Sequence, residues 1–332
     1  MFKKRSIMVT GGGGYVGSLL VPKLLADGHE VSVLDLFIYG TDIFNDYIFD
    51  PCLRLIKGDL RNPKDVEKAL RGCDTVIHLA CISNDPSFEL NPDLGKSINY
   101  DCFLPLINAS KMAGVSQFIY ASSSSVYGIK DDENVTEELS LEPLTDYSKF
   151  KAMCEDVLLA HQEEGFVTTI LRPATVCGYA PRQRLDVIVN ILTNNAYNKR
   201  LMTVIGGSQK RPNIAVKDMV RAYRHILSSP VEKIKGKIYN VGFENHTVND
   251  LAQLVKKQVG SDVSITTTPT NDLRSYHISS KKITEELGFV NKFTIEDAVS
   301  DLTYAMEKKF LTDPINNPKY VNIKVMQNLN LE

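Results

Sequence analysis

The chain has 332 residues, of which 43% are hydrophobic and 23% charged, with a formal net charge of -2. That composition can fill a large α/β core, and its charge balance gives no basic surplus for a duplex nucleic acid partner. No window approaches the roughly 18 consecutive apolar residues of a membrane span. The basic opening, Lys3-Lys4-Arg5, precedes an apolar run only a strand long that enters a glycine loop without a small-residue cleavage site, so it reads as a first strand of a cytoplasmic protein. The six cysteines contain no Cys-x-x-Cys and the six histidines no ligand spacing. Reduced core thiols, and no metal, are the expectation.

Short apolar strands are expected at Ser6–Thr10, Glu30–Leu34, Leu53–Lys57, Thr75–Leu79, Gln117–Ala121 and Thr168–Leu171. Helical stretches lie between them at Tyr15–Ala26, Pro63–Arg71 and Leu94–Ala113. Strands alternating with helices make βαβ units and a parallel sheet covered on both faces. After Cys177 the rhythm changes: a helix is expected over Arg182–Tyr197 and another over Val248–Val259, with strands at Leu201–Ile205, Ile238–Val241 and Val263–Thr267. The polar tail Leu311–Glu332 is expected to drape on the surface. The fold class is therefore α/β, a Rossmann-type doubly wound parallel sheet with a smaller C-terminal α/β substrate lobe. Residues 1–177 form the nucleotide-binding domain, and 178–332 a substrate lobe partly interleaved with it.

The first strand runs into Gly11, Gly14 and Gly17 at G-x-x-G-x-x-G spacing, with Tyr15 and Val16 between the last two. The first glycine permits the turn, the second lets backbone N–H groups approach a pyrophosphate, and the third lets the helix pack so that its positive end faces the phosphates. The second strand ends in Leu34-Asp35-Leu36. A carboxylate at Asp35, 18 residues after Gly17, suits both adenosine ribose hydroxyls and repels a 2′-phosphate, so NAD is favoured over NADP. Asp59, in Gly58-Asp59-Leu60 after the third strand, can reach an adenine amino group.

Tyr147 and Lys151 stand at i and i+4 on one helix face. A nearby ammonium favours the phenolate, which can take a proton from a carbinol as hydride leaves to the nicotinamide; the lysine can also hold the nicotinamide ribose. The strand Phe118–Ala121 ends in four serines, Ser122 to Ser125, ahead of Val126-Tyr127-Gly128. Carboxyl ends of parallel strands are where ligands bind.

Together with Asp35, Gly58-Asp59-Leu60 and His78-Leu79-Ala80, these motifs resemble the extended short-chain dehydrogenases, and more narrowly the NAD-dependent epimerase/dehydratase family, over about Ile7 to Met306. The resemblance implies that Ser123 orients a sugar hydroxyl, that Tyr147 is the acid/base and that Lys151 activates it. It implies that Leu79, Ala80, Asn99 and Pro173 line the cofactor, and that Arg211 and Arg274 hold the diphosphate of a nucleotide sugar. Guanidinium forks suit phosphate. Ser83 and Asn84 after the fourth strand, Ser124, Thr175 and Arg182 complete the candidate substrate set.

Dehydratases of the family follow the catalytic hydroxyl with Asp-Glu, where this chain has Ser124 and Ser125. Its 3,5-epimerising members place a cysteine at the position of Ser125. Oxidation at C4 and return of hydride to the other face, a 4-epimerisation, is what the resemblance leaves. The segment Arg182–Asn190 resembles a bacterial subgroup that modifies surface-polysaccharide sugars, some handling GDP-heptose, so a C4 dehydrogenase releasing the keto sugar stays open. Ala215 and Thr175 depart from the His and Asn common at those places. A non-catalytic NAD sensor would need neither Tyr147 nor Lys151, and a dehydrogenase for small carbonyls would leave the second half without a task. The family also implies a homodimer through the helices at Leu94–Ala113 and Asp146–Glu163.

Overall fold

Ile7, Met8 and Val9 are apolar in succession, and all three are fully buried, because their strand lies inside a sheet covered on both faces. The computed structural model describes residues 4–130, 132, 134–270 and 277–329. The strands of the first half are β1 (Ser6–Thr10), β2 (Glu30–Asp35), β3 (Leu53–Lys57), β4 (Thr75–His78), β5 (Gln117–Ala121) and β6 (Val167–Pro173). Those of the second half are β7 (Thr175–Cys177), β8 (Leu201–Ile205), β9 (Lys210–Ala215), β10 (Lys237–Val241), β11 (Glu244–Thr247) and β12 (Ser264–Thr268).

The central sheet has seven strands in the order β10-β6-β5-β4-β1-β2-β3, and every pair is parallel. Its reversal of direction falls between β1 and β4, where a doubly wound sheet opens a crevice at the carboxyl ends of its strands. The seventh strand, β10, comes from the second half and pairs with β6, Lys237 opposite Thr169 through Val241 opposite Pro173. A three-stranded sheet (β11-β9-β7) and a two-stranded one (β12-β8) hold the remaining strands.

The helices of the first half are α1 (Gly17–Ala26), α2 (Pro63–Leu70), α3 (Asp85–Glu89), α4 (Pro92–Lys96), α5 (Phe103–Met112) and α6 (Asp146–Ala160). The second half adds α7 (Ile188–Lys199), α8 (Val216–Ser228), α9 (Val231–Ile234), α10 (Val248–Val259), α11 (Lys281–Leu287), α12 (Ile295–Glu307) and α13 (Asn322–Gln327). The single helix expected over Leu94–Ala113 is two helices joined by a π-helical turn, Ser97–Asp101. Pro105 has no N–H to give the turn before it, so the ladder widens there. The helix expected from Arg182 starts only at Ile188. The side chain of Asn190 reaches back to donate to the Arg184 carbonyl and to accept from the Gly178 N–H, which holds residues 178–187 as a loop.

The tail does not drape on the surface. Tyr320 and Asn322 are buried, the Leu185 N–H donates to the Tyr320 carbonyl, and Met326 packs beside Ile82 and Phe88.

His78, at the end of β4, shares a 2.7 Å hydrogen bond with Thr10 and stacks on Tyr120. Burial presses its imidazole pKa down to about 3 from 6.5. The folded state therefore keeps His78 neutral while the unfolded chain protonates below 6.5, so stability falls with pH between those values, by up to about 1.4 kcal/mol per unit. Urea unfolding of the wild type and His78→Leu across that window should give a flatter pH dependence for the variant.

Candidate active site

A cavity of about 600 Å³ lies along the carboxyl ends of β1, β2, β4, β5 and β6. At one end is the glycine loop. Gly11 sits at φ +69°, and a Cβ there would come within 2.6 Å of the Ala80 nitrogen. A Cβ on Gly17 would meet the Gly12 carbonyl at 2.5 Å, so only glycine lets α1 begin this close to β1. Gly11, Gly14, Tyr15, Val16 and Gly17 all face the cavity.

Asp35 follows at the end of β2. It accepts from the Gly13 N–H at 2.8 Å and the Phe37 N–H at 2.7 Å. Burial pushes its carboxyl pKa up, while these two N–H groups and the Arg182 guanidinium hold it down. The carboxylate keeps acceptor sites for ribose hydroxyls. Asp35→Asn should weaken NAD by about 10- to 100-fold and narrow its lead over NADP, because the repulsion of a 2′-phosphate goes with the charge; titration with both nucleotides checks it.

Leu36, Asp59 and Leu60 line the same end. Asp59 is held by Arg61, whose Nη2 lies 2.7 Å from Oδ2. Leu79, Ala80 and Pro173 form the middle of the wall. Asn99 does not line it. Its amide is spent on Ile82, accepting from the N–H at 2.8 Å and donating to the carbonyl at 3.0 Å. It is therefore a brace for the loop after β4.

At the other end stand Ser123, Ser124 and Tyr147. Helix α6 places the tyrosine in its first turn, fixed by a capping box between Thr145 and Ser148. Ser123 accepts from the Ser125 N–H at 3.1 Å, and the two hydroxyls lie 2.8 Å apart. Burial raises the Tyr147 phenol well above 10; the Arg184 charge and a hydrogen bond with Ser123 pull the other way.

Lys151 is buried behind the tyrosine, its ammonium 6.0 Å from the Tyr147 ring centre and donating to the Ala121 carbonyl at 2.6 Å. The ammonium is anchored to the end of β5 rather than to the phenol oxygen. Behind the serines, Ser122 donates to Glu155, Arg172 forms a bidentate pair with Glu155, and Arg172 also donates to the Tyr127 hydroxyl at 2.8 Å.

Of the expected substrate residues, Ser83, Asn84, Thr175, Arg182 and Arg211 reach the cavity, and Arg274 lies outside the described residues. Asn84 takes φ +78° and caps α3.

Several residues were not anticipated. Asp186 accepts from Arg184 Nε at 2.6 Å and from the Asn322 N–H at 2.9 Å. The Asn322 amide donates to Ser83 Oγ at 2.9 Å, and Met326 and Tyr39 also line the wall. Asn322 sits 239 residues from Ser83, and nothing in a polar tail marks such a contact in advance.

A glycine cradle with a strand-end carboxylate at one end and a Ser/Tyr/Lys set at the other suits a nicotinamide-dependent enzyme of the short-chain dehydrogenase/reductase type. The pattern of the NAD dependent epimerase/dehydratase family matches residues 7–242, and the chain belongs to that family; its cofactor is NAD. The chain is 28% identical over 318 residues to a UDP-glucose 4-epimerase of Lactobacillus helveticus, covering 89% of this chain and 94% of the relative. It is similar to the crystal structure of a dTDP-glucose 4,6-dehydratase from Streptomyces venezuelae with NAD and TYD bound, with TM-score 0.82 and 25% identity over 93% of this chain and 99% of that one. It is likewise similar to a UDP-glucuronic acid 4-epimerase from Bacillus cereus in complex with UDP-glucuronic acid and NAD, with TM-score 0.81 and 26% identity over 91% and 99%.

Proposed function

We propose that the enzyme is a nucleotide-sugar 4-epimerase. The Gly11–Gly17 loop and Asp35 would hold NAD, which would supply an acceptor and donor of hydride beside the sugar. Tyr147 takes the proton of the C4 hydroxyl and later gives it back. Ser123 orients that hydroxyl, and Lys151, fixed on Ala121, positions the cofactor ribose beside the tyrosine. Arg211 on β9 binds the substrate diphosphate, helped by Arg274, while Ser83, Asn84, Ser124 and Thr175 face the sugar.

The observation that carries the reaction type is the pair of hydroxyls at 124 and 125. The carboxylates that reach the cavity, among the described residues, are Asp35, Asp59, Asp85 and Asp186. Each is already engaged: with backbone N–H groups, with Arg61, with the Thr145 hydroxyl and with Arg184. An elimination across C5 and C6 therefore has no free acid and base, whereas oxidation and re-reduction at C4 need only Tyr147 and the cofactor. A C4 dehydrogenase shares the first half of this chemistry; the basic loop Arg182–Asp186, like that of the surface-polysaccharide subgroup, favours it as the second reading.

Mass spectrometry of UDP-, dTDP-, GDP- and CDP-sugars incubated with enzyme and NAD tests both. Unchanged mass with a new retention time supports the epimerase, and loss of two hydrogens with NADH accumulating supports the dehydrogenase. Loss of water sinks both.

A homodimer is part of this reading. Leu104 and Met112 on α5 and Met153 on α6 are 42%, 90% and 40% exposed, which suits an apolar face paired with a second copy. Sedimentation at working concentration should give twice the chain mass.

A further inference from the structure

Arg182 was expected at the sugar. Its surroundings are those of the cofactor. Its backbone N–H donates to Ser18 Oγ at 3.1 Å, in the first turn of α1. Its guanidinium lies 3.5 Å above the ring centre of Tyr39, four residues beyond Asp35. Its Nη2 donates to Asn322 Oδ1 at 2.5 Å.

Arg184, two residues on, faces the other way. It pairs with Asp186, donates to Ser83 and acts on Tyr147. The two arginines thus divide the cavity between its cofactor end and its reacting end.

Their charges are also met differently. Arg184 has a carboxylate at 2.6 Å. Arg182 is only 5% exposed, yet the partners of its guanidinium are a neutral amide and a ring. Among the described residues no carboxylate lies within ion-pair distance of it, and its Nε has no hydrogen-bond partner. A buried guanidinium without a carboxylate partner is costly unless an anion completes it. Here it lines a cavity beside the positive end of a ten-residue helix, where phosphate is the favoured anion.

We propose that Arg182 binds the diphosphate of NAD at the glycine-loop end of the cavity, and that Asn322 makes the C-terminal segment the latch that holds this arginine in place. The Asn322 side-chain amide also donates to Ser83 and the Asn322 backbone N–H to Asp186, so one residue ties the cofactor end to the sugar end. A latch of this kind keeps the cofactor on the enzyme between the two hydride transfers of an epimerase, and in that respect the inference rests on the function proposed above. The binding claim does not.

The test uses the full chain and three probes. NAD and ADP-ribose carry the diphosphate, and adenosine does not. Arg182→Ala should weaken NAD and ADP-ribose by about 10- to 100-fold and leave adenosine, followed by saturation-transfer NMR, within about twofold. Asn322→Ala should weaken the two diphosphates by about tenfold, chiefly through faster release of NAD into excess competitor. Arg182→Lys, which keeps the charge but loses the planar fork, should fall between wild type and Arg182→Ala.

Equal losses for adenosine and ADP-ribose would mean a structural role and overturn the clamp. Unchanged affinity for both diphosphates in both variants would return Arg182 to the sugar and overturn it too. A wild-type chain that binds neither NAD nor ADP-ribose would instead overturn the cofactor assignment itself.

Discussion

Tyr147→Phe should lower turnover by about 10²- to 10⁴-fold while NAD still binds, because in the proposed mechanism the phenolate oxygen is the proton acceptor and the ring alone supplies packing. The environment of that hydroxyl also fixes the shape of the pH profile. Burial holds the phenol well above 10, and Arg184 and Ser123 draw it down. The base form is the ionised one, so a raised pKa puts the rising limb of kcat/KM on the alkaline side, with rate increasing as pH increases. Arg184→Met removes a charge that favours the phenolate, so its limb should move to still higher pH with the plateau rate less affected. Initial rates against pH, on whichever sugar the mass-spectrometric panel identifies, check both variants. Unaltered turnover in Tyr147→Phe would sink the mechanism.

Glu155→Ala should produce the largest loss of stability, about 3–5 kcal/mol. Glu155 and Arg172 are side chains only 2% and 3% exposed. They tie α6 to β6, and through Ser122 and Tyr127 they back the serine turn. Removing the carboxylate leaves a buried guanidinium uncompensated. The double variant Glu155→Leu with Arg172→Met should recover most of the loss, because two apolar side chains replace two desolvated charges. Urea unfolding of the three proteins gives the comparison. A single variant as stable as wild type would mean that water already reaches the pair.

The parts of this molecule that could be read from residues alone are those governed by backbone rules. Gly11 and Gly17 announce the turn because no other residue fits so near Ala80 and Gly12, and the strands through β6 announce themselves by short segments rich in Val, Ile and Leu between helical stretches. The second half is less legible because its contacts are distant in sequence. Arg182–Val187 has helix-compatible composition, yet Asn190 and Asp186 spend their side chains on backbone and arginine partners that hold a loop. Asn99 has the residue type of a cofactor ligand, but its amide is consumed by Ile82. Asn322 carries no local signal, since its three partners lie 136 to 239 residues away. The charge beside Tyr147 was expected from Lys151 on the same helix. That ammonium donates to Ala121, and the Arg184 guanidinium from a distant loop is a further charge that draws the phenol down.

The seventh strand has a consequence for how the chain is made. A ribosome releases β6 long before it releases β10, whose first residue is Lys237. Until then the nascent chain carries Val167–Pro173 as an open edge, six of whose seven residues are buried in the finished protein. An open edge of unpaired backbone N–H and C=O groups invites pairing with a neighbouring chain. A fragment cut at residue 177 keeps that edge for good. It should express as an aggregating polypeptide, whereas a fragment extended beyond Val241 carries its own strand to cover it.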